Sequence, residues 1–398
     1  MRFRSTLSTA RRLDDACAET IAELRRSFVD EDPDLVMAFA TPSLGDLDEI
    51  PRRLAKAFPR SLLGGCSGGG VIGDGHEVED RPGLTLLAGR LPGATIETRV
   101  LRRDELPNPD APPSTWHALF ETPSARVRGL IVLPDPWRFP VGTLLTGLDY
   151  AYPDCPKVGG LVSGGDHAGA QRVFAGRGAD AKALDDGALV VVFGGQVEIA
   201  AIVAQGCRPI GRVGTITAGS GQDLVAVDGQ PALAFLKSQI DSLDERELEI
   251  VRSSPMFVGL AMDPFAAETP DEGEYLMRNI VGLDRERGSL AIAGRPGVGR
   301  KIRFHLRDRE ASDCDLQRAF RRVQASPAPA AALLFSCLGR GKGLYGEADH
   351  DSRAFLERFG RVPLAGFFCN GEIGPVAGAT YLHGYTSAFA LIRQVELG

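Results

Sequence analysis

The sequence predicts an α/β protein of two domains, built from repeated βαβ units with mixed sheets, and three observations predict it. The chain is 398 residues long, more than one hydrophobic core ordinarily serves. Apolar residues make up 43% and charged residues 24%, the balance of a globular chain. Strand-like apolar runs alternate with helical stretches, and the runs end in glycine-rich loops. The 48 glycines and 26 prolines follow no period and read as tight turns.

The first element is a helix, with Leu13, Ala16, Cys17, Ile21, Leu24 and Phe28 on one face and Ser8 placed to cap it. Three similar units follow. LVMAFATP from Leu35 leads through a helical stretch at 47–58 to LLGGCSGG. GLIVLPDP from Gly129 leads through 144–150 to VGGLVSGG. AALLFSCLG from Ala331 leads through SRAFLERFG to LAGFFCNGE. Each reads strand, glycine or proline loop, helix, strand, then a loop closing on Ser67-Gly68, Ser163-Gly164 or Asn370-Gly371. Parallel strands joined by helices are the expected consequence.

The segments after the first two units, from Gly83 and from Gly187, both read strand, glycine turn, strand. An internal duplication of the N-terminal half is therefore expected. An Asp228-Gly229 turn and a helix opening at Pro231 follow. The domain boundary is placed near Gly221–Asp228, giving domains 1–225 and 226–398. Hairpin-like strands are expected between Glu274 and Arg307, joined by AGRPGVGR.

Net charge of −7 and the lack of polybasic runs exclude a nucleic-acid surface. No stretch approaches the roughly 20 apolar residues of a spanning helix, and the N-terminus lacks a signal-peptide core. Seven widely spaced cysteines without a CxxC fit reduced thiols and a cytoplasmic protein.

Ligands of open α/β sheets bind at the carboxyl ends of the strands, where glycine loops bring backbone close. The candidate ligand-binding residues are Cys66, Ser67, Gly68, Ser163, Gly164, Cys337, Gly339, Arg340, Asn370, Gly371 and Glu372. Arg340 suits a carboxylate and Glu372 an ammonium, so the two loops of one unit could clamp a zwitterion. The alternative is that these two pair with each other or lie in solvent. Cys337, beside a cationic loop, could be a nucleophile or redox centre; Cys66 and Cys369 read as packing residues. The six histidines show no metal-binding spacing, and no GxSxG elbow or Walker loop is present, so no catalytic or metal residue is assigned.

LLFSCLGRGKGLYG followed by PLAGFFCNGEIGP resembles the C-terminal FIST domain. CRPIGRVGTITAGSGQDLVAVDGQPAL and LLGGCSGGGVIG resemble its N-terminal counterpart. The resemblance covers 35–384 and implies small-ligand sensing in signal transduction, with amino acids as ligands. It also implies a signalling output, here expected from a partner protein. Some FIST proteins are haem-based nitric oxide sensors, so haem is the alternative to a protein without a cofactor. An enzyme using Cys337 is a further alternative.

Overall fold

The computed structural model describes residues 1–29, 31–262, 275–323 and 327–395. Asp263 and Glu274, at the ends of two expected strands, lie outside them. The chain forms two compact units: 1–203 with 319–398, and 204–318.

The larger unit repeats one order of elements three times. The first repeat runs β1 (Arg2–Ser8), α1 (Leu13–Ser27), β2 (Leu35–Ala40), α2 (Glu49–Ala57), β3 (Leu62–Ser67), β4 (Gly70–Gly73), β5 (His76–Val78) and β6 (Leu84–Arg90). The second runs β7 (Ala94–Leu101), α3 (Pro113–His117), β8 (Val127–Pro134), α4 (Val141–Ala151), β9 (Lys157–Gly160), β10 (Val173–Gly176), β11 (Lys182–Leu184) and β12 (Ala188–Gly195). The third opens with β13 (Val197–Ala204), which leads into the second unit.

That second unit holds β14 (Arg208–Ser220), β15 (Asp223–Val227), β16 (Gln230–Pro231), α5 (Ala232–Ile240), α6 (Glu245–Ser253), β17 (Met256–Ala261), β18 (Tyr275–Asp284), β19 (Ser289–Ile292) and β20 (Lys301–Leu306). The third repeat resumes with α7 (Arg309–Arg322), β21 (Ala331–Cys337), α8 (Gly341–Tyr345), α9 (His350–Phe359), β22 (Leu364–Cys369), β23 (Glu372–Val376), β24 (Ala379–His383) and β25 (Ser387–Gln394).

Each repeat contributes four strands to its own sheet and lends a hairpin to another. The three sheets run β1-β6-β2-β3-β10-β11, β7-β12-β8-β9-β23-β24 and β13-β25-β21-β22-β4-β5. In each, the central βαβ pair is parallel and its neighbours are antiparallel. The exchange is cyclic.

The central strands are buried on both faces, which is why they read as unbroken apolar runs. In β2, Leu35, Met37 and Phe39 join a core shared by all three sheets, whose other members include Ile131, Leu133, Phe335 and Phe367. Val36, Ala38 and Ala40 face a separate layer with α1 and α2. Leu130 and Val132 of β8 likewise face α4. Three glycines mark equivalent places. A Cβ on Gly65, Gly159 or Gly366 would lie 1.9, 1.9 or 1.8 Å from the carbonyl oxygen of Ala38, Val132 or Leu334 on the adjacent parallel strand.

Aligned on these glycines, Ser67 matches Leu161 and Phe368, while Gly69 matches Ser163 and Asn370. The sequence match of Ser67 with Ser163 and Asn370 is thus displaced by two residues, because the glycine-rich run GGCSGGG offers several equally good registers. Ser8 is also placed differently. It ends β1, its hydroxyl bonding to Glu19, and Arg12 occupies the N-cap of α1 without a side-chain cap bond.

The smaller unit is a closed antiparallel barrel, because β14 pairs with both β20 and β15 in the ring β14-β20-β17-β18-β19-β15. Ile210, Val258, Leu260 and Phe304 fill it, with Phe235 of α5. Asp228 and Gly229 take positive φ in the expected turn. Gly221–Asp228, where the sequence places a boundary, span β15 of this barrel and the turns beside it.

Candidate functional site

The carboxyl ends of β21 and β22 bring Cys337, Arg340, Cys369 and Glu372 together. After Cys337 the chain turns back, Arg340 N–H donating to the Cys337 carbonyl at 2.8 Å, and this directs the Arg340 side chain inward. Its guanidinium is fully buried and meets Asp351 through two bonds, Nε to Oδ2 at 2.9 Å and Nη2 to Oδ1 at 3.1 Å. Nη2 also donates to the Tyr345 hydroxyl, and the charge lies 5.5 Å from the Tyr345 ring centroid. Nη1 finds no hydrogen-bond partner among the described residues.

Asp351 is equally sealed. It accepts from Ser387 Oγ and faces His350 Nδ1 at 3.1 Å, while the His350 ring stacks on Tyr345. Burial alone would raise its carboxyl; the Arg340 charge and these bonds hold it well below the usual range.

Glu372 sits behind them, fully buried. Its Oε2 accepts from Thr386 N–H at 2.9 Å and its Oε1 from Cys369 Sγ at 3.4 Å, and the Cys337 thiol bonds to it as well. Burial pushes this carboxyl up to about 8, against the pull of those donors and of Arg340. Its oxygens are enclosed by these protein donors, away from solvent.

The hairpin lent by the first repeat completes the cluster. Glu77 of β5 is buried, its Oε1 accepting from Ser352 N–H at 2.8 Å and Ser352 Oγ at 3.0 Å. Burial, then the charges of Asp351 and Asp349, push it up to about 8. Asp349 holds the strand in place, accepting from Glu77 N–H at 2.6 Å. Glu79 Oε1 accepts from Lys342 N–H at 2.9 Å. Beside these groups lies a cavity of about 290 Å³ lined by Glu77, Val78, Glu79, Asp80, Arg81, Lys342 and Ala348.

The serine loops form a second, uncharged cluster. Ser67 Oγ donates to the Ser163 carbonyl at 2.8 Å and accepts from Arg172 N–H at 3.1 Å. Ser163 Oγ donates to the Phe368 carbonyl at 2.6 Å and accepts from Gly69 N–H at 3.0 Å. Gly164 and Gly68 pack here too: a Cβ on Gly164 would lie 2.9 Å from the Gly68 carbonyl. Gly371 closes the adjacent strand pair, its carbonyl accepting from Leu161 N–H. These hydroxyls are consumed in joining strand ends from all three repeats.

Of the remaining candidates, Asn370 and Gly339 are exposed, and Cys66 is sealed in the shared core, where burial raises its thiol. Cys337 is 8% exposed, with its sulfur engaged by Glu372 and by Gly339 N–H. No histidine lines any of the four cavities described. The sequence reading missed Asp351, Tyr345, Glu77 and Lys342. Asp351 and Tyr345 follow the arginine loop closely enough for pairing to be considered; nothing local points to Glu77, which the strand exchange delivers.

A glycine-loop α/β scaffold with a polar cavity over buried charges is the architecture of a small-molecule binding protein. The chain belongs to the FIST family: a FIST N domain matches residues 34–230 and a FIST C domain residues 232–375. FIST domains are associated with small-ligand sensing in signal transduction. An uncharacterized protein of Mycobacterium tuberculosis (strain H37Rv) is 33% identical, over 98% of this chain and 99% of its own. One of Mycobacterium bovis is 33% identical, over 94% and 95%. The crystal structure of cyanuric acid hydrolase from A. caulinodans aligns over 100% of this chain and 99% of its own, with a TM-score of 0.33 and 10% identity, too slight a likeness to carry a conclusion. No helix among the described residues is long and apolar enough to cross a membrane.

Proposed function

We propose that this protein is a sensory receptor for a small polar molecule of the amino-acid class, with its site at the ends of β21 and β22. The observation that carries the reading is the cavity at Glu77, Glu79 and Lys342, which shares Glu77 with the buried Arg340–Asp351 network. Arg340 and Glu372 act from behind this cavity. Asp351 already fills the arginine's fork, and Glu372 is sealed, so both set the field a ligand meets. Lys342 and Arg81 supply positive charge at the cavity itself, and Glu77, Glu79 and Asp80 the carboxyls.

The signal passes to a partner protein in the cytoplasm. Seven cysteines, none in a disulfide among the described residues, are consistent with the cytoplasm.

A thermal-shift screen of amino acids, small carboxylates and sugars tests the reading. A ligand at a hundredfold its Kd stabilises by about 2.7 kcal/mol. The shift should shrink in Lys342→Ala, which removes a surface charge without touching the buried pair. If no compound shifts the wild-type protein, the receptor reading fails.

A further inference from the structure

The two oxygens of Glu77 are used differently. Oε1 accepts both bonds from Ser352, whereas Oε2 accepts none from any described residue, although the side chain is 94% buried by its 6% exposure and lines the cavity. A carboxyl oxygen left open in this way, with acidic neighbours and a route to solvent, is a seat for a donor carrying positive charge.

The charged surroundings fix the sign. From α9 and the residue before it come Asp349, Asp351 and His350. From α8 and its preceding loop come Lys342 and Arg340, the latter committed to Asp351. Along the same segment lie His76, bonded to Asp349, then Glu79, Asp80 and Arg81. The facing strand β4 offers Ile72 opposite Glu77 and no charge. Asp349 and Asp351 both oppose ionisation of Glu77, so a cation placed at Oε2 relieves that repulsion at the carboxyl itself.

We propose that this cavity binds the primary ammonium group of a small ligand, with Glu77 Oε2 as the acceptor. The proposal rests on the receptor reading above and names the group that the site recognises. Lys342 and Arg81, at the other side of the cavity, take an anionic group where the ligand has one. Because Glu77 holds its proton near neutral pH, binding displaces it: the ammonium keeps its own protons, the Glu77 carboxyl becomes carboxylate, and one proton leaves to buffer.

The test is calorimetric titration of the full chain with ethanolamine, putrescine and L-lysine at pH 6.5, 7.5 and 8.5, in phosphate and in Tris. Binding should tighten about tenfold for each unit that pH rises toward the Glu77 value, with enthalpies that differ between buffers by one proton's worth. Glu77→Gln keeps an acceptor for Ser352 and should weaken binding at least tenfold and abolish the pH dependence. Wild-type binding without pH dependence or buffer dependence overturns the proposal, and needs no variant to show it. If amines fail while carboxylates or sugars shift the protein, the ammonium assignment falls and the receptor reading stands. If nothing binds, both fall.

Discussion

Two loop clusters occupy the strand ends of one repeated scaffold, and they are built from opposite materials. Around Ser67 and Ser163 the contacts are hydroxyl to carbonyl, neutral and local to the backbone. Around Arg340 they are charge to charge, with a guanidinium and a carboxylate both removed from water. The first cluster can do little except hold strand ends together. The second stores electrostatic free energy that an incoming group can redistribute. The same topology thus serves closure in one place and, in the proposed site, recognition in the other, and side-chain charge makes the difference.

The sharpest way to break this contrast is to remove one partner of the buried pair. Asp351→Asn leaves the Arg340 charge unpaired and should cost about 3–5 kcal/mol in urea denaturation. Arg340→Met combined with Asp351→Leu should cost less than the sum of the single changes, as a double-mutant cycle would report. Ser163→Ala should cost roughly 1–3 kcal/mol, because it orphans the Phe368 carbonyl and Gly69 N–H only in part; those two also bond to each other. A Ser163 effect as large as that of Asp351 would erase the distinction.

The pH dependence of stability gives a gentler probe. Glu77 and Glu372 are raised from 4.5 to about 8, so the folded protein keeps protons that the unfolded chain releases. Their stabilising share is complete below about pH 4.5 and is lost as pH rises through 8. Asp351, held low by Arg340, works with the opposite sign, losing its share only in stronger acid. Urea midpoints measured from pH 5 to 9 should fall for the wild type and flatten for Glu77→Gln with Glu372→Gln. The smallest effect is expected for Ser67→Ala, about 1 kcal/mol, without any change in the pH profile.

Much of the fold was legible because double-sided burial leaves a plain mark. Leu35–Ala40, Gly129–Pro134 and, but for Ser336, Ala331–Cys337 are apolar, and each is a central strand. Strand β1 was not legible: RFRSTLS mixes charge with hydroxyls, and it forms because β6 pairs with it along its whole length. At the site, glycine spacing pointed to Arg340 and Glu372 but not to what they would touch. Asp351 comes from a helix that begins ten residues beyond Arg340, and Glu77 from a hairpin more than 250 residues earlier in the chain. Long-range pairing is invisible to spacing.

The exchange of hairpins has a consequence for how the molecule is made. The β4–β5 hairpin finds its partner strand, β22, only after the last quarter of the chain has left the ribosome, and β9 waits for β23 in the same way. A fragment ending at residue 230, where the FIST N domain stops, would carry orphaned ribbons and an open central core. The two halves recognised in the sequence are therefore interdependent in assembly, because hairpins of each complete a sheet of the other.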